Sequence, residues 1–205
     1  MTGNIVHSVA VIVASTRNPR IGRAVAETVL DMLQSKDQLR RLNPQLVDLV
    51  DFKLPIFDEA VVPANIPERA QFSHAHSKKW SEEIKKHQGY IIVSPEYNFG
   101  IPGGFKNAID YLMHEWKGKP VAIVTYGVTG GKLCSDMLHQ VLSKVGLKVA
   151  ATRPQLTFKG GVGPDAFAAM GGRLGEDTRT SWKTEKEELI VAAAEELQAL
   201  LFAET

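Results

Sequence analysis

The stretch that decides the fold is SPEYNFGIPGGFKNAIDY, residues 94–111. It begins where a short apolar run, Tyr90–Val93, stops, and its middle consists of turn-forming residues and glycines. Its end resumes an apolar pattern at helical spacing: Phe105, Ala108, Ile109, Leu112, Met113 and Trp116. This order of patterns predicts a strand, then a loop, then a helix.

The loop in this unit runs from Pro95 to about Gly103 and is longer than an ordinary βα connection of about two to six residues. A loop that leaves the carboxyl end of a parallel strand is where open α/β sheets hold ligands. Prolines restrict its backbone, glycines allow a flat group to approach the main chain, and Glu96, Tyr97 and Asn98 supply polar and aromatic side chains. The loop is predicted to bind a planar ligand; the alternative is a plain connection.

Other strands follow from similar apolar runs. Ser8–Ala14 is almost continuously apolar, as expected for a strand buried on both faces of a parallel sheet. A polar loop, Ser15–Gly22, and a helix ending near Gln34 or Ser35 come next. Further strands are predicted at Leu46–Val50, at Val121–Thr125 and at Leu147–Ala151 with an extension to Phe158.

The segments between these strands are less regular. Asp51–His76 is interrupted by prolines and is predicted to be an ordered excursion over the carboxyl edge of the sheet. A helix capped by Ser77 and stopped by Gly89 is predicted after it. Gly160–Gly175 is glycine-rich and is predicted to be a loop, before a last amphipathic helix from about Thr184.

Five strands alternating with helices predict an α/β fold. The expected architecture is a three-layer sandwich, in which helices cover both faces of a five-stranded parallel sheet of order 2-1-3-4-5. This order brings the loops after the first, third and fourth strands to the same edge. Residues 1–205 show no internal repeat and no linker, so a single domain is expected.

The first of these three loops has the composition of a phosphate site. The hydroxyl of Ser15, the guanidinium groups of Arg17 and Arg20 and the free amides at the start of a helix all favour an anion. The loop matches neither the GxxxxGK[ST] nor the GxGxxG pattern, which favours a mononucleotide phosphate. The alternative is simple helix capping, with Arg17 as a surface side chain.

The third loop, Tyr126–Gly131, offers close backbone approach through its glycines and a ring that could stack on a ligand. The alternative is an ordinary turn in which Tyr126 covers the sheet edge.

Composition excludes several classes of function. The net charge of +1 gives no steering toward nucleic acid or an anionic membrane, and it lacks the acidity expected of a carrier that docks on basic partners. The single cysteine, Cys134, excludes an internal disulfide and a multi-cysteine metal site, and the histidines lack metal-ligand spacing. No apolar stretch approaches a membrane span and no signal pattern opens the chain, so a cytoplasmic location is expected.

Residues 95–98, Pro-Glu-Tyr-Asn, followed by Gly-Phe-Lys-Asn-Ala-Ile-Asp at 104–110, resemble the flavin loop of the NAD(P)H-dependent FMN reductases. These flavodoxin-like enzymes include azobenzene and quinone reductases. Ser15-Thr16-Arg17, with Arg20 and Gly22, supports the resemblance, which extends over about Val9–Val145. Two departures are Ala14, where the family often has glycine, and Gly160–Arg179, which does not align.

The resemblance implies bound FMN, with NADPH or NADH as co-substrate. Ser15, Arg17 and the amides near Ile21 and Gly22 would hold the phosphate, Pro95–Asn98 would border the isoalloxazine, and Tyr126–Gly131 would close its other side. The full set of expected cofactor-binding residues is Ser15, Arg17, Arg20, Ile21, Gly22, Pro95, Glu96, Tyr97, Asn98, Tyr126, Gly127, Gly130 and Gly131. No side chain is expected to act as catalytic acid or base, because the flavin carries the chemistry.

The expected activity is a two-step oxidoreduction, in which nicotinamide reduces the flavin and a quinone, free flavin, azo compound or similar acceptor then replaces it. Alternatives are a flavodoxin-like electron carrier and a redox-responsive flavin-binding regulatory protein. A homo-oligomer, either a dimer or a dimer of dimers, is also implied, and Phe105, Met113, Trp116 and Leu54–Phe57 are expected to supply apolar surface for it.

Overall fold

A central strand with no solvent exposure from Val9 to Ala14 organises the chain. The computed structural model describes residues 5–66 and 71–203. The strands are β1 His7–Val13, β2 Leu42–Asp48, β3 Gly89–Pro95, β4 Pro120–Gly127, β5 Lys148–Val149 and β6 Gln155–Thr157. The helices are α1 Gly22–Gln34, α2 Ala75–Lys86, α3 Gly103–Asp110, α4 Lys132–Val145, α5 Pro164–Met170, α6 Glu176–Glu185 and α7 Glu187–Phe202.

The sheet is parallel and has the strand order β2-β1-β3-β4-β5, which confirms the predicted flavodoxin-like order. The fifth position is filled by two short strands, since β6 also pairs with β4, farther toward its carboxyl end. Between them the chain leaves the ladder at Thr152, whose backbone N–H donates to the Glu196 carboxylate over 2.9 Å. The chain rejoins at Pro154, whose carbonyl accepts from the Thr125 amide.

Helices cover both faces of the sheet, as the three-layer prediction requires. On one face of β1, the side chains of Val9, Val11 and Val13 pack with residues of α1, α6 and α7 in one buried cluster. The alternate positions, Ala10 and Ile12, pack with α2, α3 and α4 in the other. The chain leaves β1 through α1 on one face of the sheet and reaches β3 through α2 on the opposite face. Because the two helices lie on opposite faces, a crevice opens between the ends of β1 and β3 at the carboxyl edge.

Several local predictions are wrong at the ends of elements. The predicted β2 starts four residues late, because Leu42 already pairs with His7. Ser77 does not cap α2: the helix begins at Ala75, and Ser77 is buried in its first turn. Gly89 belongs to β3 rather than to a helix stop.

The helix predicted through Trp116 ends at Asp110. The apolar residues beyond it are still buried, but in irregular turns, where the Trp116 indole donates to the Ile109 carbonyl. Phe105 and Trp116 therefore belong to the core, and their predicted role at a subunit contact is wrong.

Two further differences lie near the carboxyl end. The segment Gly160–Gly175, predicted as loop, contains α5, and the last helix is preceded by a separate helix, α6. Gly163-Pro164-Asp165 has the sequence of a helix start, with proline at the first position and an acidic residue in the first turn. The many glycines of the segment favoured a loop prediction in spite of this helix signal.

The excursion between β2 and α2 is anchored on α3. The Asn107 side chain accepts from the Phe57 amide and donates to the Pro55 carbonyl. Asp58 accepts from the Tyr111 hydroxyl over 2.9 Å and contacts the His76 ring nitrogen, also at 2.9 Å. The contact with Asp58 gives His76 a structural role in this segment. Residues 67–70 of the excursion lie outside the described residues.

Across the described residues, none of the helices has the length and apolar character needed to span a bilayer.

Candidate functional site

A cavity of about 290 Å³ opens at the carboxyl edge of the sheet, beside the ends of β1, β3 and β4. Its volume is close to the lower end of the range of roughly 300–1,000 Å³ found for small-molecule sites. Four segments contribute its walls, three of them the loops expected from the sequence. The lining residues are Arg17, Pro19, Arg20, Ile21, Pro95, Glu96, Tyr97, Tyr126, Gly127, Val128, Phe158, Ala166, Ala169 and Met170.

The first loop presents hydrogen-bond donors at the start of α1. Within the described part of the chain, the backbone amides of Thr16, Arg17 and Asn18 donate to no protein acceptor, and these residues are exposed. The Arg17 guanidinium stacks on the Tyr97 ring, with its central carbon 3.6 Å from the ring centroid. Free amides, an unpaired guanidinium and the positive end of a helix dipole together favour an anion at this end of the cavity.

Arg20 and Ser15 are held by other protein groups. The Arg20 guanidinium donates to the Asp48 carboxylate over 2.8 Å, and that carboxylate is almost fully buried. The same guanidinium reaches the Ser15 hydroxyl at 3.4 Å, and Ser15 has no exposed surface. Arg20 still lines the cavity, but its charge is largely offset by Asp48. Ser15 lies beneath the loop rather than in the cavity.

The second loop makes a tight turn from Tyr97 to Gly100, closed by backbone hydrogen bonds of 3.1 Å in both directions. Its two central residues, Asn98 and Phe99, have φ of 47° and 63°, a conformation that costs energy for residues other than glycine. Asn98 is exposed and lies outside the cavity wall, whereas Tyr97 faces it. Burial raises the pKa of the Tyr97 phenol, so the group stays protonated at neutral pH.

Glu96 joins the second loop to the third. Its carboxylate accepts from the Cys134 amide over 3.0 Å, in the first turn of α4. Its own amide donates to the Tyr126 carbonyl at the end of β4. A carboxylate at a helix amino terminus is stabilised by the helix dipole, so Glu96 fixes the position of the loop in addition to lining the cavity.

The glycines of the third loop serve its turn. Gly130 and Gly131 have φ of 79° and 76°, and a Cβ on Gly131 would lie 2.9 Å from the Cβ of Thr125. Neither glycine lines the cavity, whereas Tyr126, Gly127 and the exposed Val128 do. The two glycines therefore shape the loop that carries the wall.

Eight of the expected residues thus meet around one cavity: Arg17, Arg20, Ile21, Pro95, Glu96, Tyr97, Tyr126 and Gly127. Five do not line it: Ser15, Gly22, Asn98, Gly130 and Gly131. Sequence reasoning missed Pro19 and Val128, which lie within the expected loops, and the wall formed by Phe158, Ala166, Ala169 and Met170. The last three residues are spaced i, i+3 and i+4, which is the spacing of one face of a helix and was the sequence signal for that wall.

Cys134 lies behind the cavity, with its thiol within 3.4 Å of the Pro95 carbonyl. The side chain is fully buried, and burial raises the pKa of the thiol to about 11. Burial also raises the pKa of the neighbouring Tyr126 phenol. Both groups are therefore neutral at physiological pH.

A family model described as NADPH-dependent FMN reductase matches residues 7–160. The chain belongs to the NADPH-dependent FMN reductase family. All the expected loops of this FMN reductase family member lie within the matched residues, whereas α5 lies beyond them.

Individual relatives agree with the family. The chain is 45% identical to the NAD(P)H-dependent FMN reductase ntnL of Nectria sp. over 94% of its length and 96% of the relative's. It is 32% identical to a quinone reductase of Escherichia coli over 75% of its own length and 77% of that protein's. Among solved structures, the NAD(P)H:acceptor oxidoreductase FerB of Paracoccus denitrificans superposes with a TM-score of 0.62 at 24% identity, over 93% of this chain and 98% of that one, which shows a shared fold.

The packing of the first loop on α1 predicts different outcomes for two helix-starting glycines. A Cβ on Gly22 would lie 1.9 Å from the Ser15 hydroxyl oxygen and 2.9 Å from its Cβ, whereas a Cβ on Gly103 would meet nothing within 4 Å. We expect Gly22→Ala to lower the free energy of unfolding by about 1–3 kcal/mol through overpacking. Gly103→Ala should leave it unchanged or raise it by up to about 1 kcal/mol.

Urea denaturation of both variants measures the difference, with Gly103→Ala as the matched control. Equal effects of the two substitutions would show that the first loop does not pack tightly on α1.

Proposed function

We propose that this chain is an NAD(P)H-dependent oxidoreductase that binds FMN in the cavity at the carboxyl edge of the sheet. The observation that carries the proposal is the polarity of that cavity. It has N–H donors that can bind an anion at one end and flat, mostly apolar walls at the other. Its position between the ends of β1 and β3 supports the same assignment, because flavodoxin-like sheets bind FMN at that point.

The donors at the first loop fit a phosphate monoester. The free amides of residues 16–18 and the Arg17 guanidinium supply several N–H groups in this loop, and Arg17 lines the cavity. Asp48 offsets the charge of Arg20, so Arg17 provides the main uncompensated positive charge. Arg17 would orient the phosphate, and the dipole of α1 would add to the attraction.

The other end of the cavity fits a planar ring. Pro95 and Tyr97 form one wall, Tyr126–Val128 another, and Phe158 is buried behind them. When bound, FMN supplies the redox chemistry, taking a hydride from nicotinamide and passing two electrons to an acceptor. The side chains of this chain orient the rings and exclude water, and none is assigned as general acid or base.

Nicotinamide and acceptor would both have to reach the face of the bound flavin that the cavity walls leave open, and they would occupy it in turn. We therefore include a ping-pong mechanism in the proposal. The walls carry few side-chain hydrogen-bonding groups directed at a second ligand, because the Glu96 carboxylate is held by the Cys134 amide. Few polar contacts imply loose choice among flat acceptors, which would include quinones, free flavins and azo compounds.

The activity is tested by mixing the FMN-loaded protein with NADPH in the absence of oxygen and of any acceptor. The flavin absorbance should bleach, and a quinone added afterwards should restore it. With NADPH and quinone both varied, the double-reciprocal plots should be parallel. Absence of bleaching would favour an electron carrier over an enzyme, and intersecting lines would contradict the shared slot.

Arg17 gives a direct test of the phosphate assignment. Arg17→Ala removes a charge-assisted hydrogen bond and should cost roughly 1.5–3 kcal/mol of FMN affinity, a loss of about 10- to 150-fold. Arg23→Ala is the matched control, because it removes the same charge from an exposed side chain at the second position of α1, where it pairs with Glu27 and lies 3.7 Å from Asp48. Fluorescence titration of the apoprotein with FMN measures both. Equal losses would indicate general electrostatics instead of a phosphate contact at Arg17.

We also propose that the protein forms a homo-oligomer. Three exposed apolar side chains lie on the second loop and on α4: Phe99, Leu133 and Met137, with exposed fractions of 76%, 49% and 44%. Leu133 and Met137 are four residues apart on α4, and Met137 lies against the turn at Gly100. Such a patch suits contact with a second copy, most simply about a two-fold axis.

Light scattering tests the assembly. We expect a mass of at least twice 22.5 kDa at micromolar concentration, and we expect Phe99→Ser with Met137→Ser to lower it. The monomer mass in the unmodified protein would contradict the proposal.

We propose that residues 1–205 form a single domain. We also propose a cytoplasmic location, which is supported by the presence of a single cysteine.

A further inference from the structure

One wall of the cavity is formed by a segment outside the residues that the family model matches. That match ends at residue 160, and α5 begins at Pro164. Ala166, Ala169 and Met170 line the cavity from one face of this helix. The loops that define the family are therefore completed by a wall that the family pattern does not specify.

This wall is fixed to the rest of the fold at both of its ends. The Asp165 carboxylate accepts from the Thr178 amide over 2.8 Å, and the Thr178 hydroxyl accepts from the Lys159 amide over 2.9 Å. After α5, Gly172 has φ of 83° and lies so close to the first loop that a Cβ would be 2.9 Å from the Cβ of Pro19. The helix therefore has a defined position over the cavity.

The same helix carries apolar surface outward from the cavity. Met170 both lines the cavity and has 69% of its surface exposed. Phe167, three residues earlier and hence next to it on the helix, is 60% exposed. The small side chains of Ala166 and Ala169 leave room on the inner face, and the one acidic residue of α5, Asp165, is bonded to Thr178.

We propose that α5 is a specificity element that recognises an aliphatic substituent on the electron acceptor. The ring of the acceptor would lie on the open face of the bound FMN, and its aliphatic chain would run over Met170 and Phe167 toward solvent. The chemical class is an aromatic or quinonoid ring with an alkyl or similar apolar chain. The proposal rests on the proposed function for the position of the ring, and α5 adds preference for the chain.

The test compares binding of two redox-inert ring compounds, resorcinol and 5-pentylresorcinol, to the FMN-loaded protein by isothermal titration calorimetry. In the unmodified protein, partial burial of five carbons should tighten binding by about tenfold or more. In Phe167→Ser, which changes a side chain of α5 that does not line the cavity, that advantage should fall below about threefold, with resorcinol itself little changed. Phe167 is 60% exposed, so the fold should tolerate the change, and Phe167→Ala serves if Phe167→Ser is unstable.

Leu189→Ser on α7 is the matched control, because it makes the same kind of change at a 45% exposed apolar position on another helix. It should retain the advantage of the chain. An unmodified protein that binds both compounds equally, or a Phe167→Ser variant that keeps the full advantage, would overturn the role of α5.

Turnover separates this inference from the proposed function. NADPH oxidation with 1,4-benzoquinone, which has no chain, should be within about twofold in Phe167→Ser, whereas kcat/KM for a decyl-substituted benzoquinone should fall about tenfold. Failure of the unmodified protein to reduce either quinone would count against the proposed function. Reduction of both with unchanged relative efficiency in Phe167→Ser would count against α5 alone.

Discussion

The constraint on which the molecule depends is the hydrogen bonding of β1 to a parallel neighbour on each side. A strand between two partners and two helical layers must be apolar in both directions, and Val9–Ala14 has no exposed surface. The chain then leaves β1 toward one face and enters β3 from the other. Two connections that diverge in this way cannot fill the space between them, so a cavity at this edge follows from the topology itself.

The three loops around that cavity stabilise one another through contacts that are not local. Arg17 stacks on Tyr97, Glu96 holds the start of α4, and Arg20 reaches across to Asp48 at the end of β2. Residues that suggest ligand binding from their type therefore divide into two groups. Arg17 and the amides beside it remain available, whereas the charged groups of Arg20 and Glu96 are already engaged within the protein.

The sequence was most informative where signals are local. An apolar run followed by glycines and prolines specifies a strand and its loop almost independently of context, and the parallel order follows from the rules of connection. Burial of Ser15 and pairing of Arg20 with Asp48 depend on groups brought together only by folding, and neither residue type reveals its partner. The apolar pattern predicts a longer α3 than the structure has, because Leu112 and Trp116 are buried in turns beyond the end of the helix. Residues buried in turns can show the same apolar spacing as residues buried on one face of a helix.

The cavity wall formed by α5 is a second part of the site that local sequence patterns do not predict. Ala166, Ala169 and Met170 have helical spacing, but the glycines on either side of them dominate the local composition. Only packing against Pro19 and Thr178 shows that the segment returns to the cavity. Local patterns therefore predict the loops within the residues that the family model matches, and tertiary contacts bring the wall beyond that match to the cavity.

The environment of Cys134 has a consequence for chemical durability. Quinones are electrophiles that add to thiolates, and the thiolate rather than the thiol is the nucleophile. With its pKa raised to about 11, roughly one thiol in ten thousand is ionised at pH 7. The chain has no other cysteine, and this one is sealed behind Pro95 with no exposed surface. Burial and a raised pKa therefore both protect this thiol from arylation by an electrophile that enters the cavity.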